Sequence, residues 1–485
     1  MVDPALPITA TLTFGVSLAG ATVQWEADPL GVRHSVFAPP YQGADLALVI
    51  SALDVLQYPN YPLHATEWQR QRFTFSMAEQ ERLHVFGLWR DEGRVRADAH
   101  QLVGRALYQA LAADAEGARV IDTLRNYAAA NGQPLALRLR FPPSAVELAA
   151  LPWELLWDAG PVPLLLSRGR LASCTRHLDL PQALPPARPH HQPIQVLAIA
   201  PESDIPADVR EEERAARRTA WQPLIDSGQL IVREVSPATR RALVDAVQQS
   251  PKPDIVHYYG HGRYKGGEGA LLLDAAGGGR DWTSASTLMA LLGDVRLVAL
   301  FACQGAMVAP GELGLLSGVA PALSAAGVPL VIGMQLTTRV EAAIRASGII
   351  YHALVAGESV QDAVSQARQA LFVEEPDRAS WYLPALYIRS RETGPAYLTA
   401  PAAAPPIAAT GSTQSIIARK KSKVSDVQMH GSAGSVQRVV ADDRSSVERA
   451  ELNASQASKQ EILAEEESEA ADIELDDRKP LAPDQ

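Results

Sequence analysis

From residue 194 to residue 389 the chain alternates short apolar runs with segments of helical spacing, and this succession restricts the fold more than any other feature. Ile194–Ala200, Leu230–Val235, Ile255–Tyr259, Leu297–Ala302 and Val328–Gly333 have strand length and few polar positions. A charged helix from about Val209, a helix near Thr239–Gln248, helices over Val340–Val355 and Val360–Phe372 and a last strand at Tyr382–Arg389 complete the pattern. Apolar strands separated by helices form mostly parallel sheets covered by those helices. The expected class is α/β, with this subdomain spanning 194–395.

The flanks read differently. Residues 1–95 form a strand-rich N-terminal region, alternating at Ile8-Thr9-Ala10-Thr11-Leu12-Thr13-Phe14 and carrying the apolar run Ala47-Leu48-Val49-Ile50. Helical spacing runs from Ser76 to about Asn131, with Leu102, Ala106, Leu107 and Ala110 expected on one buried face and Val120, Leu124 and Tyr127 on another. Residues 96–180 hold these helices, the strand Leu135–Arg140 and the dense block Leu151-Pro152-Trp153-Glu154-Leu155-Leu156-Trp157-Asp158. Trp153 and Trp157 are expected to anchor the subdomain junction. Five prolines between 180 and 193, with His190-His191, mark a solvated connector.

Residues 396–485 turn to Ala-Pro and Ser-rich sequence with acidic clusters at Glu465-Glu466-Glu467 and Asp476-Asp477, a composition that predicts a disordered acidic tail. Serine–hydrophobic pairs recur there at Ser415-Ile416, Ser435-Val436 and Ser446-Val447. A small β-turn repeat would produce them, and chance recurrence is the reading taken.

Composition then narrows function. A chain of 485 residues with 47% hydrophobic residues has the material for a large core. A net charge of −11, with no dense basic run beyond Arg419-Lys420-Lys421, argues against a nucleic-acid partner. The start, Met1-Val2-Asp3-Pro4, lacks a signal-peptide pattern, and no later stretch has the length of a membrane span, so the expected location is cytoplasmic. Two cysteines, Cys174 and Cys303, without close spacing, offer neither a disulfide framework nor a zinc knuckle. No cofactor or metal is expected.

Two strands end in reactive residues. Asp254-Ile255-Val256-His257-Tyr258-Tyr259 runs into Gly260-His261-Gly262, and Arg296-Leu297-Val298-Ala299-Leu300-Phe301-Ala302 runs into Cys303-Gln304-Gly305. If the two strands are neighbours, imidazole and thiol meet at one sheet edge, and the glycines beside His261 are expected to let the backbone turn sharply there. A thiol with a pKa of about 8.5 becomes a competent nucleophile when an imidazole takes its proton. The backbone N–H groups of Gly262 and Cys303, on loops leaving those strands, are expected to hold an oxyanion. Metal chemistry at His257 and His261 is disfavoured, because a four-residue spacing on a strand does not make the ligand pair it makes on a helix.

Ala302-Cys303-Gln304-Gly305 resembles the caspase nucleophile signature, although Phe301 replaces the glutamine that precedes it there, and the histidine lies 42 residues upstream rather than about 50. The Leu151-Pro152-Trp153-Glu154-Leu155-Leu156 block, Gly260-His261-Gly262, Ala302-Cys303 and Val331-Ile332-Gly333-Met334-Gln335 resemble, in order, the CHAT family of caspase-like and separase-like domains. That resemblance implies a caspase-haemoglobinase-like three-layer fold, a catalytic dyad of His261 and Cys303, and cysteine endopeptidase activity on a protein or peptide substrate. It further implies a regulatory or activating protein partner and a role in bacterial defence or cell death. The alternative is a catalytically inactive interaction or signalling platform. Many members carry an acidic residue soon after the Gly-Met-Gln segment, whereas Arg339 stands before Glu341 here. Arg339 and Gln335 are accordingly expected to line a substrate pocket favouring an acidic residue before the scissile bond.

Other features carry structural expectations. Cys174 and His257 are expected in the core or a pocket wall, and Arg214-Ala215-Ala216-Arg217-Arg218 on a solvated helix face. Gly266-Gly267-Glu268-Gly269 and Gly277-Gly278-Gly279 lack the Gly-Lys-Ser/Thr ending of a phosphate loop and are read as flexible loops over the cleft.

Overall fold

The computed structural model describes residues 7–389 apart from 18–19, 29, 59–73, 92, 143, 170–172, 179–192, 204–206, 266–267, 293–294, 303–317 and 375–378, together with residue 398 and six strands between 413 and 476. The chain divides into two compact units, Met1–Ala400 and Pro401–Gln485.

The first unit begins with β1 (Ile8–Ser17), β2 (Gly20–Ala27), β3 (Gly31–Phe37), α1 (Gly43–Val55), α2 (Met77–Val85), β4 (Trp89–Arg90), β5 (Arg94–Val95), α3 (Ala99–Ala112), α4 (Ala115–Asn131), β6 (Leu135–Phe141), α5 (Val146–Ala149) and β7 (Ser173–Leu178). It continues with β8 (Ile194–Ile199), α6 (Ala207–Asp226), β9 (Leu230–Val235), α7 (Arg240–Gln248), β10 (Ile255–Gly260), β11 (Gly262–Lys265), β12 (Glu268–Asp274), β13 (Arg280–Ser284), α8 (Ala285–Leu292) and β14 (Leu297–Ala302). After these come α9 (Val319–Ala325), β15 (Leu330–Met334), α10 (Val340–Val355), α11 (Val360–Glu374) and β16 (Pro384–Ile388).

Eleven strands form one sheet in the order β3-β2-β1-β6-β7-β16-β15-β14-β10-β8-β9. Strands β15, β14, β10, β8 and β9 are mutually parallel, and so are β1, β6, β7 and β16. The two parallel blocks meet antiparallel at β15–β16, so their strands point in opposite directions. The stretches 1–95, 96–180 and 194–395 therefore all contribute to one sheet. The expected strands of 194–389 are present within two residues of their expected bounds, because each is a short run in which apolar residues predominate. β14 is buried along its whole length.

Period two sorts the side chains of β10 between the faces. His257 packs against Trp221 of α6 and Tyr351 of α10, whereas the adjacent Tyr258 reaches Leu272 of β12. α6, α10 and α11 pack together, and α7, α8 and α9 form a separate group with α9 on β15.

Several local expectations change. Ala47-Leu48-Val49-Ile50 lies in α1, whose buried Leu46, Val49, Ile50 and Leu53 follow helical spacing; a four-residue apolar run cannot by itself distinguish a strand from a buried helix. In α3 the buried stripe is Ala99, Val103, Leu107 and Leu111, one position away from Leu102, Ala106 and Ala110, because Gly104 sits against the Leu155 carbonyl. Tyr127 of α4 is 43% exposed, and Ala128 takes the buried position. Asp114 caps that helix by accepting from the N–H groups of Glu116 and Gly117. Arg217 is buried with its guanidinium 4.6 Å from the Tyr259 ring centroid, so the Arg214–Arg218 helix segment is not wholly solvated. His190-His191 lies outside the described residues.

The Leu151–Asp158 block holds a short 3-10 turn, Trp153–Leu155. Trp153 packs on Phe14 and Phe37 at centroid distances of 4.7 and 5.5 Å, and its indole N–H donates to the Leu148 carbonyl at 2.7 Å. The next residue, Glu154, is fully buried and forms an ion pair with Arg176 of β7, which also donates to the carbonyls of Ala149 and Leu151 and to Gln335 Oε1. Arg368 of α11 lies 3.8 Å from the same carboxylate and donates to the Pro384 carbonyl. Burial alone would raise the Glu154 pKa, but the two guanidiniums outweigh it and hold the carboxyl below its ordinary range.

In the second unit the structure differs from the expected disorder. Six strands are present: β17 (Thr413–Ala418), β18 (Lys423–Gly431), β19 (Val436–Ala441), β20 (Ser446–Ala454), β21 (Lys459–Ala464) and β22 (Glu469–Asp476). They form two parallel sheets, β17-β19-β21 and β18-β20-β22. Thr413 pairs with Val436 and Val436 with Lys459, while Lys423 pairs with Ser446 and Ser446 with Glu469, a constant offset of 23 residues. At that offset the sequence repeats itself: Gln414, Gln437 and Gln460; Ile416, Val439 and Ile462; Ala418, Ala441 and Ala464; Met429, Leu452 and Leu475. Average composition conceals such a period, and stacked copies need only nearest-neighbour contacts rather than one large core.

The buried Glu154 carboxylate generates a prediction. Glu154→Gln leaves two buried guanidiniums without their anion, and urea unfolding is expected to show a loss of about 3–5 kcal/mol. A loss below about 1 kcal/mol, the range of exposed pairs, would contradict that account.

Candidate active site

β10 and β14 are adjacent and parallel, with Gly260 opposite Ala302 in the register. His261 follows Gly260 at this edge, and the described part of β14 stops at Ala302. Cys303, Gln304 and Gly305 lie outside the described residues, as does most of the segment leading to α9. The chain passes from β8 outward to β9 and returns on the other side of β8 as β10. Such a reversal of strand order opens a crevice beyond the carboxyl ends of the strands.

The His261 side chain is exposed while its backbone is held firmly. Its carbonyl accepts the Leu272 N–H at 2.9 Å. The Tyr258 hydroxyl lies 2.9 Å from that carbonyl oxygen and 2.7 Å from the Leu272 carbonyl oxygen, so its single proton is shared between them. A Cβ on residue 260 would stand 2.8 Å from the Tyr258 hydroxyl. A side chain at position 260 would therefore have to displace the Tyr258 hydroxyl from its two carbonyl partners.

The glycine-rich stretch after His261 is built into a three-stranded antiparallel sheet, β11-β12-β13. Gly278 and Gly279, at φ 85° and 93°, form the turn between β12 and β13 rather than a loose loop, and Gly269 lies within β12; Gly266 and Gly267 are outside the described residues. The buried Asp274 at the end of β12 accepts the backbone N–H groups of Glu202, Ser203 and Ala238 at 2.8–2.9 Å. Burial opposes its ionisation, but these donors outweigh burial and hold the carboxyl below its ordinary range. One carboxylate thereby ties the loop after β8, the loop before α7 and the small sheet together at the edge that carries His261. Sequence reading missed both Tyr258 and Asp274, since neither belongs to a motif and their partners are backbone groups distant in sequence.

His257 is fully buried, with Nδ1 2.7 Å from the Tyr351 hydroxyl and the ring stacked 5.0 Å from Phe301. Burial pushes its pKa well down, so it is a neutral core residue. Cys174 is buried in β7, where desolvation pushes its thiol up to about 12.

β15 ends at Met334 on the same edge as β10 and β14. Gln335 is buried, its Oε1 accepting from Arg176 at 2.8 Å and its Nε2 donating to the Tyr382 carbonyl at 2.8 Å. Arg339, part-buried just before α10, donates to the Ser380 hydroxyl at 3.3 Å. The intervening Thr337 is tied by its backbone N–H to Asp54 of α1. A cleft of about 750 Å³ lined by Ala216, Ala220, Ile344 and Gly348 follows α6 and α10 rather than the strand ends.

Among the described residues no group of three or more His, Cys, Asp or Glu side chains is placed to hold a metal ion. Nor is any described helix long and apolar enough to cross a membrane.

The Asp274 clamp has a signed pH dependence. Its folded pKa is depressed, so its stabilisation is complete above the unfolded value of about 3.9 and is lost as pH falls through the folded value. Asp274→Asn is expected to lower stability at neutral pH and to flatten the acid limb of a stability–pH curve; an unchanged acid limb would contradict this.

Comparison with known proteins gives three results. A profile described as "CHAT domain" matches residues 101–405. No curated protein sequence matches the chain. Similar solved structures include the Saccharomyces cerevisiae separase in complex with securin, at 13% identity and a TM-score of 0.43, covering 79% of this chain and 30% of that one. The Arg-specific cysteine proteinase gingipain R is also similar, at 12% identity and a TM-score of 0.36, covering 67% of this chain and 74% of that one. This chain therefore spans less than a third of the separase.

Proposed function

The chain belongs to the CHAT-domain family, and on that premise we propose that it is a cysteine endopeptidase with His261 and Cys303 as its dyad. The observation that carries the reading is the parallel register of Gly260 with Ala302. Consecutive Cα atoms are about 3.8 Å apart, which supports a reading in which the residue after Gly260 and the residue after Ala302 act at one edge of the sheet.

In this reading the His261 imidazole takes the Cys303 proton and the thiolate attacks the carbonyl carbon of a peptide bond. The oxyanion is held by the backbone N–H groups of Gly262 and Cys303. The imidazolium then protonates the leaving amine, and water activated by the same imidazole hydrolyses the thioester. The Tyr258 hydrogen bonds and the Asp274 clamp support this chemistry by limiting movement of the His261 backbone. No cofactor enters these steps.

Arg339 leaves the same edge after β15, which supports its role as the cation of a pocket for an acidic side chain, with Gln335 holding the segment beneath it. The substrate is a protein, the activity is regulated by a protein partner, and the biological setting is bacterial defence or cell death in the cytoplasm.

Iodoacetamide labelling tests the dyad, with buried Cys174 as the internal control. At neutral pH Cys303 is expected to react faster than Cys174, and His261→Ala is expected to slow Cys303 by about tenfold or more. Labelling indifferent to His261 would favour the inactive platform. For the pocket, peptides with Asp before the scissile bond are expected to be cleaved about tenfold faster than Lys peptides, with the preference lost in Arg339→Ala. Equal cleavage of both peptides by the unmodified chain would remove Arg339 from the pocket.

A further inference from the structure

The second unit is one operation performed twice. Each copy of the repeat contributes one strand to each sheet, and each step to the next copy is the same 23-residue offset with parallel, in-register pairing. Among the described residues, β17 and β18 pair only with β19 and β20, and β21 and β22 pair only with those same strands from the other side. Among the described residues the unit thus ends in two pairs of parallel strand edges. An unpaired edge is a template for another strand, and stacked repeats require their ends to be covered. Because the step is constant, the backbone pattern complementary to the last copy is that of the first copy.

Charge selects the same arrangement. The first copy, residues 413–435, carries Arg419, Lys420, Lys421 and Lys423 against the single acid Asp426. Two steps of the repeat, 46 residues on, the third copy has Glu465-Glu466-Glu467 for Arg419-Lys420-Lys421, both runs lying outside the described residues. Within the strands, Glu469 stands where the first copy has Lys423, and Asp476 where it has His430, while Asp426 and Asp472 repeat one sign. Like charges stacked in register repel and opposite charges attract. Pairing two first copies or two third copies opposes like charges, whereas pairing a first copy with a third joins opposite ones.

We propose that a second copy of this chain seats its β17–β18 edge on the β21–β22 edge of the first, continuing both ladders across the junction. The contact is heterologous, so each added chain offers a new free edge and the assembly grows head to tail. It is independent of the chemistry proposed for His261 and Cys303.

Sedimentation velocity of the full chain tests this directly. The mass distribution is expected to grow with protein concentration and to shrink with added salt. Lys423→Glu and Glu469→Lys are each expected to weaken association by about tenfold, since each places like charges across the junction. An equimolar mixture of the two variants is expected to restore association, because the reversed charge on one variant then meets the opposite, also reversed, charge on the other; misfolded variants would give no such rescue. Monomers at every concentration, association unaffected by both reversals, or a mixture no better than its components would overturn the proposal. So would rapid amide hydrogen exchange throughout 413–476 in the unmodified chain.

Discussion

The buried Glu154 carboxylate is the interaction on which the first unit depends. Its partners come from three distant parts of the chain: Arg176 from β7, Arg368 from α11 and, through Arg176, Gln335 from the end of β15. These elements surround the β15–β16 boundary where the two oppositely directed parallel blocks join. An ion pair without water contributes little net stability compared with apolar packing of the same volume, but leaving either charge alone is very costly. Such a cluster therefore disfavours any packing that separates Glu154 from Arg176 and Arg368, because each separation leaves a buried charge unpaired.

Joining the blocks has a consequence for chemistry. The parallel strands β8, β10, β14 and β15 all end at one edge, where the crossovers of an α/β sheet leave room for a ligand. At that edge the exposed imidazole of His261 is attached to a backbone with little freedom, held through its carbonyl by Leu272 and Tyr258. Asp274 fixes the surrounding loops through three backbone donors. Positioning by buried hydrogen bonds limits the reorganisation required when a substrate arrives.

Not all parts of the chain were equally legible. The main-sheet strands between Ile194 and Ile388 were readable because most of their positions are apolar and helical segments separate most of them, whereas β11–β13 were not. His261 and Cys303 were readable as candidates because each follows such a strand within a recognisable motif. Ala47–Ile50 misled because a short apolar segment suits α1 and a strand equally well. Arg217 misled because its charge gave no sign that the Tyr259 ring would cover it. The stacked strands of the second unit were hidden in the opposite sense: their signal was present, at a spacing of 23 residues, but serine and acidic residues dominated the composition.

By itself the sequence determined what short-range chemistry determines: which runs are apolar enough for buried strands, where helices begin, and which reactive side chains follow strand ends. It also contained the 23-residue period, since a repeat is a property of the chain before it folds. The tertiary structure alone decided the strand order, the opposition of the two blocks at β15–β16, the close approach of Tyr258 to Gly260 and the partners of Glu154 and Asp274. The physical reason is distance along the chain. The Tyr258 hydroxyl that crowds Gly260 is held by Leu272, and Asp274 by donors about 36 to 72 residues away, contacts that no local pattern encodes.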